Sequence, residues 1–398
     1  MGRPISTETT HADFRDDLLS RGYSRRQLGR ILAVFGSGAI AAGIAGPPAS
    51  AAEAPSLSNA PSLNSGARIR IGKNECWTGP MAPGRTAAAA ILGLSNRYSP
   101  HHEREDFIAT VEKVEGVPGA LVTPWPGSSD PLCRSIVTFC SPTRGLVTAD
   151  PTFELAGQTA EWLGAPLKRV PLTPDYRHDV KAMLAADPNA GLYYICTPNN
   201  PTGTITPIED IEWLLANKPA GSLVVVDEAY IHFASVPTVA RLVVAGKDVI
   251  ILRTFSKLFG MAGMRVGYMM TRPDIQARMT RYDGMTQSIG LPMPSLVCAT
   301  ASLSCADLIA GRRTQMRQAR AMAIAHVRKR GLNVLPTDAN MFIVDWRTKP
   351  AQEMESAFMA QGVEIGRAWP IWPTRNRITV GSMADMTAFC AALDKVWT

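Results

Sequence analysis

From Gly119 onward, short apolar runs alternate with longer stretches of helical character, and this alternation constrains the fold more than any other feature. Continuous apolar strands separated by helices are typical of a mostly parallel sheet that is covered by helices on both faces. Such sheets bind ligands beyond the carboxyl ends of their strands. The predicted elements are, in chain order, strand 119–124, helix 131–140, strand 145–150, helix 153–163, strand 166–170, helix 180–186, strand 191–197, helix 208–216 and strands 222–230, 249–256 and 265–270.

A second, smaller α+β domain is predicted from the change in sequence texture after about Ala299. Its predicted elements are a long arginine-rich helix through Arg330, strand 340–346, helix 351–361, strand 377–382 and a last helix. The chain is therefore predicted to be an α/β protein with a large sheet domain and a small C-terminal domain. The predicted boundaries are 1–51 for a leader, 52–67 for a flexible lead-in, 68–97 for an arm that joins the small domain, 98–299 for the large domain and 300–398 for the small domain.

The predicted leader contains the motif SRRQLGR at residues 24–30, followed by an apolar run at 31–45 and by Ala-Ser-Ala at 49–51. This pattern resembles a twin-arginine export signal that is cleaved after Ala51. The apolar run of 15 residues is shorter than the roughly 20 that a membrane span needs. An ordinary helix start with basic residues is the alternative. Because the twin-arginine machinery exports folded proteins, the pattern predicts folding in the cytoplasm followed by export to the periplasm or the medium.

Charge and cysteine content exclude several classes of protein. The 41 Lys and Arg residues exceed the 34 Asp and Glu residues by only seven, and the basic residues are scattered, so no nucleic-acid partner is predicted. The seven cysteines form no C-x-x-C pair, which argues against a zinc site and against a disulfide framework. We therefore predict no metal ion, and mostly buried free thiols.

Two charged residues follow predicted strands in places that suggest chemistry. Lys257 ends the run TFSK in apolar and glycine-rich company, where desolvation lowers the pKa of an amine and makes it nucleophilic near neutral pH. Taken alone, Lys257 would more simply be a solvated surface lysine. Asp227 closes the apolar run LVVV, and a carboxylate placed there is costly unless it meets a cation. Together the two residues predict a buried polar site at the carboxyl edge of the sheet.

Segments rich in small residues follow two other predicted strands. TPNNPTG spans residues 197–203, and PGSSD at 126–130 lies between a strand and a helix. Small residues at a helix N-terminus expose backbone N–H groups at the positive end of the helix dipole, and this arrangement binds anions. The sequence therefore predicts an anion site close to the amine and the carboxylate.

These motifs together make the chain resemble the fold-type I aminotransferases that use pyridoxal 5′-phosphate, and within them the histidinol-phosphate aminotransferase family. PNNPTG, VVDEAY and RTFSK occur in the family's order, with 27 residues from Asn200 to Asp227 and 30 from Asp227 to Lys257. The segment KNECWTGP, which begins at Lys73, is similar to the family's N-E-N-P-x-G-P opening. The resemblance runs from there to the C-terminus.

The resemblance implies a role for each residue around the cofactor ring. Lys257 would be the Schiff-base lysine and would move the proton between Cα of the substrate and C4′ of the cofactor. Asp227 would pair with the pyridine nitrogen and keep it protonated. Tyr230 and Asn200 would hydrogen-bond the 3′ oxygen of the ring. Phe153 matches the aromatic residue that stacks on the ring, where the family often has tyrosine.

The cofactor's phosphate is assigned in the same way. Ser128, Ser129 and Asp130 align with the family's phosphate loop, the two serines through their N–H groups or hydroxyls. Ser256 and Arg265 would supply charge-assisted contacts to the same phosphate.

Three further residues are assigned to the substrate and to a neighbouring subunit. Tyr98 matches a tyrosine that reaches the cofactor phosphate of the neighbouring subunit, which implies a homodimer with shared sites; a plain core or interface tyrosine is the alternative. Arg377 matches the arginine that binds the substrate's α-carboxylate through two parallel hydrogen bonds, against a surface ion pair. Arg367 lies near the place of a phosphate-binding arginine, but the sequence up to Arg377 is about one residue shorter and is aromatic, with Trp369 and Trp372.

The activity implied is transamination between an amino acid and a 2-oxo acid in a two-step ping-pong cycle, with glutamate and 2-oxoglutarate as the family's usual pair. A leader for export conflicts with a role in histidine biosynthesis, whose intermediates are cytoplasmic. The prediction is therefore an amino acid or amine of secondary metabolism. A lyase, cyclase or oxidase on the same scaffold is one alternative. A binding or regulatory protein on a retired aminotransferase fold is another, but such a protein has no need of Lys257.

Overall fold

The structure, a computed structural model, describes residues 11–35, 68–281 and 290–397. The predicted cleavage site after Ala51 and the predicted lead-in 52–67 lie outside these residues. The predicted fold class is confirmed, because a large, mostly parallel sheet with helices is followed by a smaller α+β domain. In the described part of the chain, no single helix is long and apolar enough to cross a membrane.

The segment that carries the arginine pair forms two helices, α1 (His11–Ser20) and α2 (Arg25–Phe35). The side chain of Ser24 accepts a hydrogen bond from the backbone of Gln27, whose side chain accepts one from the backbone of Ser24, so the two residues cap the start of α2. Arg25 and Arg26 are exposed. The opposite side of the helix pair packs against the large domain through a small apolar cluster, which comprises Leu18, Tyr23, Leu28, Ile31, Val137 and Leu163.

The following segment connects the two domains. Strand β1 (Ile69–Ile71) pairs in parallel with the strand Val363–Ile365 near the C-terminus. Helix α3 (Ala82–Ile91) packs so closely against the helix Met293–Leu303 that a Cβ atom at Gly84 would lie 2.3 Å from Ser302 Oγ. Helix α4 (Glu103–Glu115) has acidic residues in its first turn and ends at Gly116 with φ of 68°.

The large sheet has seven strands in the spatial order β2–β8–β7–β6–β5–β3–β4. Strand β8 runs antiparallel to both of its neighbours, and the other neighbouring pairs are parallel. Except for the edge strand β4, the strands are short and almost wholly buried, which explains why they are largely apolar runs in the sequence. Their bounds are β2 (Val122–Trp125), β3 (Leu146–Asp150), β4 (Leu167–Pro171), β5 (Leu192–Cys196), β6 (Leu223–Asp227), β7 (Val249–Thr254) and β8 (Gly267–Met270).

Helices cover both faces of this sheet. Side chains alternate along β6, so that Val225 faces one apolar cluster while Val224 and Val226 face the other. The helices of the large domain are α5 (Ser129–Phe139), α6 (Leu155–Leu163), α7 (Val180–Ala186), α8 (Ile208–Asn217), α9 (Arg241–Val244), α10 (Pro273–Thr280) and α11 (Met293–Leu303).

The small domain contains a four-stranded antiparallel sheet in the order β12–β13–β10–β9. A capping box between Ser382 and Asp385 starts the last helix. The bounds are α12 (Ala306–Lys329), β9 (Asn333–Val334), β10 (Met341–Asp345), α13 (Ala351–Ala360), β11 (Val363–Ile365), β12 (Ala368–Trp369), β13 (Trp372–Thr379) and α14 (Met383–Val396).

One predicted element differs from the structure. The long helix expected after Ala299 is two helices, because α11 begins at Met293 and the chain bends by 84° at Ser304 and Cys305 before α12. The backbone of Cys305 is not helical, with φ of −92° and ψ of 68°, and this residue caps α12. The predicted domain boundary at 299 and 300 therefore lies within α11.

Candidate active site

The carboxyl edge of the large sheet brings together residues from β5, β6 and β7 and from both domains. Asp227 ends β6 and is 3% exposed. Its Oδ2 accepts a hydrogen bond from the Tyr194 hydroxyl at 3.0 Å, and its Oδ1 accepts one from the Ala229 N–H at 3.1 Å. Burial raises the pKa of Asp227 to about 6, although these hydrogen bonds and the nearby Lys257 oppose the rise.

The amine of Lys257 lies beside the same carboxylate. It follows β7, and its Nζ is 5.4 Å from the centre of the Tyr230 ring. Burial, followed by repulsion from Arg377, lowers the pKa of Lys257 to about 8, while attraction to Asp227 opposes the shift. Lys257 is therefore not a solvated surface lysine, and its amine is partly neutral near physiological pH.

Asn74, from the N-terminal arm, completes the surroundings of Tyr230. Its amide Nδ2 donates to the Tyr230 hydroxyl at 3.0 Å. The hydroxyl of Thr379 accepts from the backbone N–H of Asn74 at 2.8 Å and donates to its Oδ1 at 2.9 Å. Burial raises the pKa of Tyr230 above its usual value, so this phenol is neutral. The arm and the small domain thus help to hold Tyr230 in place through Asn74 and Thr379.

The predicted phosphate loop lies at the start of α5. Gly127 has φ of 87°, and a Cβ atom there would lie 2.7 Å from Arg265 Nη2, so the loop and the guanidinium touch. Ser128 and Ser129 begin the helix. Asp130 accepts from Arg134 Nε at 2.7 Å, which neutralises its charge locally.

The hydroxyl of Ser256 belongs to the buried chain segment that leads into Lys257. It accepts a hydrogen bond from the Thr254 hydroxyl at 2.8 Å. The backbone N–H groups of α5, the serine hydroxyls and the Arg265 guanidinium are together the donor set that an anion requires.

Arg377 reaches into the site from β13. It donates to Asn200 Oδ1 at 2.7 Å and to the backbone oxygen of Gly72 at 2.5 Å. Its Nε is buried and has no hydrogen-bond partner among the described residues. Arg377 is therefore not a surface ion pair, and it retains a buried donor for a ligand.

Arg367 lies farther out, at the mouth of the site. Its guanidinium pairs with the carboxylate of Glu154 and lies 4.7 Å from the centre of the Trp369 ring. Arg377 lies 5.5 Å from the same ring. Both guanidinium groups thus lie against the Trp369 ring, and Arg367 is the one of the two that forms an ion pair with a carboxylate.

Two predicted aromatic residues have different surroundings. Phe153, two residues before α6, is partly buried and packs against the apolar cluster on one face of the sheet. Tyr98 is fully exposed, so the alternative that it is a core residue is wrong.

Comparison with known proteins matches residues 96–393 to the family "Aminotransferase class I and II". The chain belongs to the class I and II aminotransferases. The aminotransferase is 31% identical over 338 residues to a histidinol-phosphate aminotransferase of Moorella thermoacetica, an alignment covering 82% of this chain and 85% of that one. It is also 31% identical over 341 residues to an aromatic amino acid aminotransferase of Rhodococcus jostii, covering 83% and 91%.

Solved structures agree with this assignment. A histidinol-phosphate aminotransferase from Sinorhizobium meliloti in complex with pyridoxal 5′-phosphate aligns with a TM-score of 0.74 and 26% identity, covering 82% of this chain and 90% of that one. A putative histidinol-phosphate aminotransferase from Erwinia carotovora atroseptica aligns with a TM-score of 0.78 and 27% identity, covering 83% and 97%.

Pyridoxal 5′-phosphate is the cofactor of the aminotransferase, and the residues at the sheet edge fit it. Asp227 is a buried carboxylate without a cationic hydrogen-bond partner among the described residues, as a protonated ring nitrogen requires. The start of α5 with Arg265 fits the phosphate. Lys257 would supply the amine for the cofactor's aldehyde.

Sequence reasoning missed Asn74, Tyr194 and Glu154. The register of β5 against β6 pairs Tyr194 with Val225 and Cys196 with Asp227, so a strand alignment from sequence would have placed Tyr194 near the aspartate. Glu154 directly follows Phe153, which was assigned to the ring, and this adjacency was a usable signal. Asn74 had no local signal beyond its place in KNECWTGP, because the arm reaches the site through the pairing of β1 with β11.

Proposed function

We propose that this aminotransferase moves an amino group between an amino acid and a 2-oxo acid by a ping-pong mechanism through a Schiff base at Lys257. The observation that carries the proposal is the Lys257 amine, whose pKa burial lowers to about 8, beside the buried carboxylate of Asp227. The bound cofactor supplies an electron sink for the carbanion at the substrate's Cα.

The chain's own residues would then orient the substrate and move its proton. Arg377 would bind the α-carboxylate, and Asn200 would hold this guanidinium through the 2.7 Å hydrogen bond. Lys257 Nζ would accept the proton from Cα of the substrate and deliver it to C4′ of the cofactor. Tyr230 and Asn200 would hold the ring oxygen, and Phe153 would stack on the ring.

The test of the proposed mechanism replaces Lys257 with Ala. We expect loss of the Schiff-base absorption band, loss of cofactor fixed by borohydride reduction and a fall in transamination of about 100-fold or more. Lys247→Ala is the matched control, since Lys247 is exposed on the same domain and should leave all three unchanged.

Dependence on the acceptor separates the proposal from its alternatives. Transamination requires a 2-oxo acid for turnover, whereas a lyase or an oxidase releases ammonia without one. Turnover of the wild-type enzyme with ammonia release and no oxo acid, or a reducible cofactor adduct in Lys257→Ala, would contradict the proposal.

We also propose that the substrate is an amino acid or amine other than histidinol phosphate. The named relatives include both histidinol-phosphate and aromatic amino acid aminotransferases, so relatives of both kinds occur at about 30% identity. The support within the chain comes from Arg367, which lies near the place of the family's phosphate-binding arginine. Its guanidinium pairs with Glu154, so it is not free to bind a substrate phosphate.

Two proposals concern the molecule's surroundings. Export by the twin-arginine machinery is supported by the SRRQLGR motif, in which Arg25 and Arg26 are both exposed. A homodimer with shared active sites is supported by the exposure of Tyr98, an aromatic residue that no part of the described chain covers.

A further inference from the structure

The ion pair between Arg367 and Glu154 joins the two domains at the mouth of the site. Glu154 caps α6 in the large domain, directly after Phe153, the residue proposed to stack on the ring, and Arg367 precedes β12 in the small domain. About half of each side chain is exposed, 51% for Arg367 and 42% for Glu154. Such a solvated pair is weak and exchanges its partners readily.

Its surroundings relate it to substrate binding. Arg367 and Arg377 lie 4.7 Å and 5.5 Å from the centre of the Trp369 ring. Because Arg377 is the proposed α-carboxylate site and lies against this ring, Trp369 and Arg367 are groups that adjoin that site. The indole Nε1 of Trp369 is buried and has no hydrogen-bond partner among the described residues, so this region retains a polar donor that faces no protein acceptor.

We propose that Glu154 is a specificity-determining residue that competes with the substrate's side chain for Arg367. The inference rests on the proposed function, because it takes Arg377 as the α-carboxylate site. With the pair formed, the side-chain subsite has no net charge and accepts an uncharged group beside Trp369. An acidic or phosphorylated side chain reaches Arg367 only by displacing the Glu154 carboxylate, which then remains nearby as a like charge.

This arrangement makes a directional prediction about affinity. Removing the charge of Glu154 leaves Arg367 available and removes the repulsion, so ligands with a second anionic group should bind more tightly. The affinity for ligands with an uncharged side chain should not change. Glu154 acts through Arg367, so its effect should vanish when Arg367 is absent.

The experiment measures binding to the holoenzyme by calorimetry with two unreactive carboxylates. Glutarate carries a second carboxylate, 3-phenylpropionate carries a neutral ring, and neither has an amino group to react. Glu154→Gln is expected to lower the Kd of glutarate about three- to tenfold and to change that of 3-phenylpropionate by less than about twofold.

Two controls isolate the effect. Glu161→Gln removes a similarly exposed carboxylate from α6, paired with Arg169 at 2.8 Å, and should change neither Kd. In an Arg367→Ala background, Glu154→Gln should no longer tighten glutarate binding.

The outcomes separate this inference from the proposed function. Equal effects of Glu154→Gln on both probes, or no effect on glutarate, would overturn the role of Glu154 while leaving transamination intact. Failure of both probes to compete at Arg377, seen as Kd values unchanged by Arg377→Ala, would overturn the proposed substrate site and this inference with it.

Discussion

Asp227 is a buried carboxyl group, and none of its hydrogen-bond partners among the described residues is a cation. Its hydrogen-bond donors are the neutral Tyr194 hydroxyl and the Ala229 N–H, and burial raises its pKa from 3.8 to about 6. Ionisation of Asp227 therefore costs stability. If the protonated ring nitrogen of the cofactor pairs with Asp227, as the fit of the site suggests, cofactor binding would offset this cost.

The first prediction concerns this cost. In the cofactor-free enzyme, Asp227→Asn should raise the free energy of unfolding by about 1 to 3 kcal/mol above pH 6. A raised folded-state pKa means that the contribution of Asp227 to stability is complete below pH 4 and is lost as the pH rises toward 6. The gain from the substitution should therefore be larger at pH 7.5 than at pH 5, as measured by urea unfolding.

The same variant should bind pyridoxal 5′-phosphate less tightly, because the ring nitrogen loses its anionic partner. A stability gain that does not depend on pH, or cofactor affinity equal to that of the wild type, would contradict the role assigned to Asp227.

At this scale the motifs predicted which residues meet, but not their supporting contacts. Lys257, Asp227 and Tyr230 converge because they lie at or just after the carboxyl ends of the neighbouring strands β6 and β7, a relation that the sequence order makes visible. Asn74 and Tyr194 touch two of them through pairings between distant segments, which no local pattern reveals.

Three elements of the large domain are joined beneath the site by one buried arginine. Arg253 on β7 donates to Glu228, just after β6, and to Glu115 at the end of α4. Glu115 also accepts from the Tyr268 hydroxyl on β8 at 2.6 Å. Arg253 is 2% exposed, so these charges interact with little screening. The cluster fixes the strand ends that carry Asp227 and Lys257.

Replacing Arg253 with Met should therefore lower the free energy of unfolding by about 3 to 5 kcal/mol, because Glu228 and Glu115 would stay buried without a cation. Urea unfolding of the holoenzyme measures this loss. Arg169→Met is the control, since the pair of Arg169 with Glu161 is exposed and its loss should cost less than about 1 kcal/mol. A loss below 1 kcal/mol in Arg253→Met would show that the cluster does not hold the strands.

The strands of the large domain other than β4 were predictable because burial on both faces of the sheet requires a largely apolar run in each of them. The two-residue strands β9 and β12 were not, since their pairing with β10 and β13 defines them. The bend between α11 and α12 was also missed, because the sequence on both sides of Ser304 favours helix and packing against α3 and α4 sets where α11 lies.

On the scale of the whole molecule, the N-terminal helix pair covers the carboxyl ends of α5 and α6. The Arg21 guanidinium donates to the backbone oxygens of Val137, Thr138 and Cys140 at 2.7 to 2.8 Å. Gln27 donates to the backbone oxygen of Leu163 at 2.9 Å. A cation at a helix C-terminus also interacts favourably with the helix dipole.

Because Arg21 makes these hydrogen bonds and Arg25 and Arg26 do not, replacing Arg21 should affect thermal stability whereas replacing the other two should not. Arg25 and Arg26 are exposed, so replacing both with Lys should leave the melting temperature unchanged but keep the precursor in the cytoplasm, as measured by cell fractionation. Arg21→Ala should instead lower the melting temperature of the full-length chain by a few degrees, because several carbonyl groups lose their donor.

Continued export of the double lysine variant would contradict the export proposal. An unchanged melting temperature in Arg21→Ala would contradict the contribution of the helix pair to stability.

If maturation removes everything up to Ala51, the enzyme loses the helix pair α1 and α2, which covers part of the large domain. Val137 and Leu163 would then become exposed to solvent. The last carbonyl groups of α5 and α6 would lose the hydrogen-bond donors that Arg21 and Gln27 supply. The precursor and the mature enzyme would therefore differ in thermal stability and in their tendency to aggregate as well as in length. The properties of a purified preparation would depend on which of the two forms it contained.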